Sequence, residues 1–258
     1  MRYARAPLPL VFAVVLVPAS AGAGVSPPKP LALTAAPARL AFRGTGDATV
    51  RIRNAGTKRI VVDAALAGFA LDLRGRPHLV ARRGARSAAP WLRFRPAHFT
   101  LAAHASARLH VSARVPPHAE PGDHDALVLL SARPLAHAPV SVRLRLGVVV
   151  VVRAPGAVVR RLRLGRLWRE QGRGERALEL VVVNAGNVTE RLLHVRMVIS
   201  PARRHGTAAA GGRELRPRTR GLLEFHLRAT AHGRATARVV VPAEPGRPAV
   251  RRTYHLRM

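Results

Sequence analysis

The chain has 258 residues, no cysteine, 48% hydrophobic content and 44 basic against 13 acidic residues, for a formal net charge of +31. Disulfides and thiolate metal sites are therefore excluded, the apolar content excludes a disordered tail, and the length suits two domains of about 100–130 residues. All the basic residues but Lys29 and Lys58 are arginine, so the charge has two readings: an anionic partner such as a nucleic acid, an acidic polymer or a lipid surface, or the arginine- and alanine-rich coding of a high-GC genome.

Residues 1–23 have the order of a secretory signal peptide: Arg2 and Arg5, an apolar run from Leu8 to Val17, then small residues suited to cleavage after Ala21 or Ala23. The apolar run is short for a bilayer span. Residues 24–30, with three prolines, read as a linker. Strands are expected from Leu31. Leu40 and Phe42 alternate with Ala41 and Arg43, and Val50 and Ile52 with Arg51 and Arg53, ahead of Asn54-Ala55-Gly56. Asp72 to Pro77 reads as a loop around Gly75 and Trp91 to Arg95 as a short strand. Ala107 to Val115 alternates strictly, with Leu109 and Val111 on the apolar side and Arg108 and Arg114 opposite, as in a half-buried antiparallel strand. Pro116 to Asp125 is a corner. The run from Leu146 to Val152 is too short to cross a membrane and reads as a strand buried on both faces.

Arg153 to Gly156 marks a boundary, so domains are expected over 31–153 and 157–258. In the second, Leu178, Leu180 and Val182 share one face, and Asn184-Ala185-Gly186-Asn187 then forms a hairpin turn or sheet corner. The Asn-Ala-Gly motif recurs 130 residues after its first appearance, which suggests two copies of one β domain. Ala202 to Arg220 reads as a long loop, and Leu222 to Arg228, Ala235 to Val241 and Val250 to Leu256 as strands. No long segment has helical period and no apolar tail closes the chain. The expectation is all-β: two tandem Ig-like β-sandwiches after a signal peptide.

The order Val-Pro, Pro-Gly-Asp-His, strand, strand, Pro-Gly over residues 115–156 resembles the peptidoglycan-binding N-terminal domain of WxL-interacting-type surface proteins. That resemblance implies a non-enzymatic, secreted or envelope-associated adaptor whose partner is an anionic cell-wall polymer or a surface protein. Arg51, Arg53, Arg108, Arg114, Arg143, Arg145, Arg161 and Arg163, each opposite apolar neighbours, are the candidates for gripping the polymer. The chain is also similar to periplasmic pilus chaperones, which implies an Arg and a Lys in an interdomain cleft that hold a client's C-terminal carboxylate. Arg43 or Arg51 is the nominee for the first, and Lys58 is the lysine of the N-terminal sandwich.

His118, Glu120, Asp123, His124 and Asp125 form the densest set of potential metal ligands, as a metal-dependent envelope enzyme would need. The competing reading is a β-corner: Pro-Gly turns the chain, Asp123 caps it, and the His124 ring bonds back to the backbone. No serine-hydrolase elbow and no zincin motif is present. No cofactor is called for, and the few aromatic residues argue against stacking on nucleic-acid bases.

Overall fold

The computed structural model describes residues 31–80, 84, 86–135, 142–169, 177–200, 206–210, 212–227, 233–242 and 248–257. The expected signal peptide and the linker lie outside them. Among the described residues, no helix is long and apolar enough to cross a membrane.

Among the described residues, the first half holds ten strands: β1 (Leu33–Ala36), β2 (Arg39–Arg43), β3 (Gly46–Asn54), β4 (Ile60–Leu71), β5 (Pro77–Val80), β6 (Leu92–Arg95), β7 (His98–Leu101), β8 (Ser106–Ala113), β9 (Gly122–Pro134) and β10 (Leu144–Ala154). They form two facing sheets, β1-β3-β8-β6 and β2-β10-β9-β4-β5, with β7 also on β4. The first strand segment changes sheet. β1 runs antiparallel to β3, the chain passes Ala36–Pro37, and β2 then runs parallel to the C-terminal part of β10.

The second half holds β11 (Leu162–Arg169), β12 (Ala177–Asn184), β13 (Glu190–Leu192), β14 (Arg196–Ser200), β15 (Gly206–Ala209), β16 (Arg213–Leu215), β17 (Thr219–His226), β18 (Arg234–Val241) and β19 (Val250–Arg257). Its sheets are β11-β12-β17, β13-β16 and β15-β14-β18-β19. Strands β15 and β16 fall within the stretch expected to be a long loop.

Each half has its own core. Val50, Ile52, Leu109, Val111, Val148 and Val150 fill the first; Leu178, Leu180, Val182, Met197, Phe225 and Val239 fill the second, all essentially inaccessible. Alternation accounts for this: in a strand every second side chain points to the same face, and only the apolar set turns inward. The two Asn-Ala-Gly motifs are sheet corners, not hairpins, since β3 and β4 lie in different sheets, as do β12 and β13. At each corner the asparagine is fully buried and satisfied. Asn54 accepts the Gly56 N–H (3.0 Å) and donates to the carbonyls of Lys58 (2.8 Å) and Ala102 (2.9 Å). Asn184 accepts the Gly186 N–H (2.9 Å) and donates to Val188 (2.8 Å) and Leu215 (3.0 Å). Burying an amide is tolerated only when it is bonded in this way.

One strand departs from expectation. β10 is buried on one face alone: Val148, Val150 and Val152 are inaccessible, whereas Val149 and Val151 are half-buried. Their outer face looks into a space between the two halves of the molecule rather than onto a packed layer.

Candidate functional site: the interdomain cleft

The corner before β9 joins the two halves. Gly122 has φ +109°, and a Cβ there would run into the backbone oxygen of Asn187. Only a residue without a side chain lets the two backbones meet, and they bond: Asp123 N–H donates to the Asn187 carbonyl at 2.8 Å, and Asn187 Nδ2 donates to the Pro121 carbonyl at 3.0 Å. The Asp123 carboxylate, 4% exposed, accepts both Arg153 Nε (2.6 Å) and Arg153 Nη2 (3.0 Å), and also the Thr189 N–H (2.7 Å). Burial works against its ionisation, but the bonds from Arg153 and Thr189 prevail and hold its pKa below the usual carboxylate range. The same bond raises the pKa of Arg153.

The other candidate metal ligands at this corner are engaged elsewhere. Asp125 pairs with Arg216 of the second half, whose guanidinium also lies 4.6 Å from the centre of the Phe69 ring. Glu120 pairs with Arg86 and Arg218. The His124 ring packs against Trp91 at a tilt of 49°, ring centres 4.3 Å apart, and its Nε2 lies 2.7 Å from the Glu120 carbonyl oxygen, the bond back to the backbone suited to a sandwich corner. His118 is exposed. Among the described residues no three histidines, aspartates or glutamates converge as a metal site. Arginine has taken the carboxylates.

A second junction lies at the β4–β5 turn. Arg74 bonds Glu179 (2.6 Å) and Glu224, two carboxylates directly opposite each other on β12 and β17. Leu222 N–H donates to the Leu73 carbonyl (2.7 Å), and Arg213 bonds the Leu222 carbonyl (2.6 Å).

Between these junctions lies a cleft of about 320 Å³, lined by Arg39, Arg43, Arg153, Arg160, Arg191, Asp123, Thr189 and Val151. A smaller apolar cavity of about 130 Å³ adjoins it, lined by Val149, Val151, Phe69 and Pro217 among others. Arg39 and Arg191 share Glu214, and Arg160 pairs with Glu190 (3.2 Å). Burial, then the nearby Arg191 charge, lowers the pKa of Arg39. Five guanidiniums thus face three carboxylates, and the cleft favours an anion.

Sequence reasoning missed Arg39, which lines both the cleft and the adjoining cavity. Its signal was present: Arg39, Ala41 and Arg43 share the face of β2 opposite Leu40 and Phe42. Of the nominated residues, Arg43 lines the cleft, but Arg51 points outward from the other sheet, where it contacts Ser106 Oγ at 3.4 Å. Lys58 is exposed beyond the first corner. The eight arginines proposed to line up for a polymer are all exposed but do not converge. Arg51, Arg53 and Arg108 lie on the β3–β8 face with Arg114 just beyond β8, Arg143 just before and Arg145 within β10, and Arg161 just before and Arg163 within β11.

One edge near the cleft stays open. β2 covers β10 only from Val149 to Arg153. Residues Leu144 to Val148 pair with β9 on one side and, among the described residues, with no strand on the other.

No family model matches this sequence, and no curated protein does. Solved structures do match. A chain of the chaperone–tip adhesin complex of CFA/I fimbriae biogenesis has a TM-score of 0.50 at 11% identity, over 86% of this chain and 98% of that one. The class 5 fimbriae chaperone CfaA has the same values. The protein shares the fold of a fimbrial chaperone. The Salmonella enterica SafA pilin–SafB chaperone complex also aligns, at a TM-score of 0.47 and 14% identity over 88% of this chain and 97% of that one. The two fimbrial-chaperone matches at a TM-score of 0.50 overturn the likeness to WxL-interacting-type surface proteins and the wall-polymer adaptor inferred from it. The residues that carried that likeness have a structural explanation here: Gly122 permits a backbone contact, Asp123 holds Arg153, and His124 ties the corner.

Proposed function

We propose that this chain is a periplasmic pilus-type chaperone, which binds an incompletely paired pilin or adhesin subunit and catalyses no reaction. The observation that carries this reading is the half-open edge of β10 leading into an arginine-lined cleft. An open strand edge is a template for pairing, and proteins exploit it by strand addition, in which main-chain bonds give affinity and side-chain pockets give specificity. Val149 N–H donates to Ala38 on the β2 side (3.0 Å). N–H and C=O groups of a strand alternate sides, so those of Arg145 and Gly147 point to the same, uncovered side. A client strand laid there would run toward the cleft, where a terminal carboxylate meets Arg39 and Arg43. The lysine that pilus chaperones add is not supplied by Lys58. In this chain the surrounding arginines take its place.

The test uses the full chain and a fifteen-residue peptide of alternating valine and threonine, as the free acid and as the amide. Hydrogen exchange is read at Arg145 and Gly147. Bound peptide should slow both amides, the free acid should bind about tenfold tighter than the amide, in line with a charge-assisted bond of about 1.5 kcal/mol or more, and Arg39→Ala should erase that difference. Unchanged exchange at both amides under saturating peptide would refute the reading.

A further inference from the structure

We propose that β10 selects its client by charge: Arg143 and Arg145 read acidic residues at alternate positions of the added strand. This rests on the reading of β10 as a strand-pairing edge. In the open part of that edge, side chains divide by face. Leu144 and Leu146 turn toward the sandwich interior and are half-buried, and Val142 just before them is 52% exposed. Arg145 stands on the opposite face, and Arg143 immediately precedes the strand; both are exposed. The next position on that face, Gly147, has no side chain, and a Cβ there would clash with Leu127 Cδ1 at 2.7 Å. The outer face of the open edge is therefore represented by the Arg145 guanidinium, with Arg143 where an added strand would reach past the start of β10.

No acidic residue of the described chain answers them. Arg145 lies opposite Ser131, which lies opposite Asp63 on β4, and the Asp63 carboxylate is taken up by His98 Nδ1 at 2.6 Å. Exposed Arg133, on β9, adds a further positive charge to this sheet. An added strand lies about 4.7–4.9 Å from β10, with directly opposite residues on the same face. Its apolar side chains then fall beside Val142, Leu144 and Leu146, and its intervening side chains beside Arg143 and Arg145. A carboxylate at those positions can take a bidentate guanidinium contact; a lysine is repelled. The client strand that fits alternates apolar with Asp or Glu.

Opposite charges facing each other across strands favour pairing by about threefold each, or about tenfold for the two arginines together. The experiment compares three peptides on the full-length protein by fluorescence anisotropy: valine alternating with glutamate, with threonine and with lysine. The glutamate peptide should bind about tenfold tighter than the threonine peptide, and the lysine peptide weakest. Arg143→Ser with Arg145→Ser should level the three, and Arg143→Glu with Arg145→Glu should reverse the order. Both positions are exposed, and thermal melting of each variant checks that the fold is intact. Equal binding of the glutamate and threonine peptides, with Arg145 and Gly147 amides protected by both, would overturn the charge selection and leave the strand-pairing edge standing. Absence of protection by any of the three would overturn both.

Discussion

Asp123→Asn tests the junction between the two halves. The wild-type carboxylate is almost fully buried and accepts three bonds, two from Arg153 and one from the Thr189 backbone. Asparagine keeps the shape but loses the charge and turns one acceptor into a donor facing a guanidinium. Breaking a buried ion pair costs about 3–5 kcal/mol. The Arg153 side chain is 28% exposed, so water recovers part of that loss and the lower end, about 3 kcal/mol, is expected. For a chain of this size each kcal/mol lowers the melting temperature by about 2–4 °C, so a drop of about 6–12 °C follows. The pH dependence has a definite sign. The folded pKa lies below the unfolded value of about 3.9, so the unfolded chain binds the proton first as pH falls. The stabilisation is complete above about pH 5 and is lost as pH drops through the folded pKa. The variant should therefore converge on the wild type in strong acid. Calorimetric scans from pH 2 to 7 measure both effects. A melting point within 2 °C of wild type at pH 7 would refute the reasoning, as would a gap that does not narrow in acid.

Two further substitutions follow from the same junctions. Arg74→Ala leaves Glu179 buried opposite Glu224 without a cation; because the Arg74 side chain is 40% exposed, the expected loss is about 1–2 kcal/mol, read by urea unfolding, with Arg74→Lys recovering part of it. Gly122→Ala combines a φ of +109° with a collision against the Asn187 backbone oxygen and should cost about 2–3 kcal/mol, whereas Gly84→Ala, with open space around its Cβ position, should unfold within about 0.5 kcal/mol of wild type in the same titration.

The strands were legible because alternation is local. Ala107 to Val115 shows its inward and outward faces within nine consecutive residues, and the two Asn-Ala-Gly motifs announce a repeated corner. What the sequence hides is partnership. Arg153 is 30 positions from Asp123, Arg216 is 91 from Asp125, and Glu214 is 175 from Arg39. Nothing in the spacing of the 44 basic residues distinguishes those that hold a carboxylate from those that meet water. The cluster from His118 to Asp125 invites a metal-site reading for the same reason, since its arginine partners lie far along the chain.

Two faces lie where one half meets the other. Glu179 alternates with Leu178 and Leu180 and so belongs to the outward face of β12, yet it is 5% exposed because Arg74 and its turn cover it. Val149 and Val151 interrupt the polar outer face of β10 because they line the cleft. In each case a face that is outward for one sandwich is partly covered by the other, so alternation within one domain does not account for its burial. The chemistry chosen for these shared faces matters for function. Had they been wholly apolar, the two halves would have closed on each other as a core does. Ion pairs at Asp125 and Glu179, and the Thr189 N–H bond to Asp123, instead fix where the halves touch, while the arginines around Arg39 outnumber their carboxylates and cannot all be neutralised from within. A junction built this way keeps the cleft open and positively charged beside the uncovered half of β10, which is the arrangement the proposed acidic, strand-forming client requires.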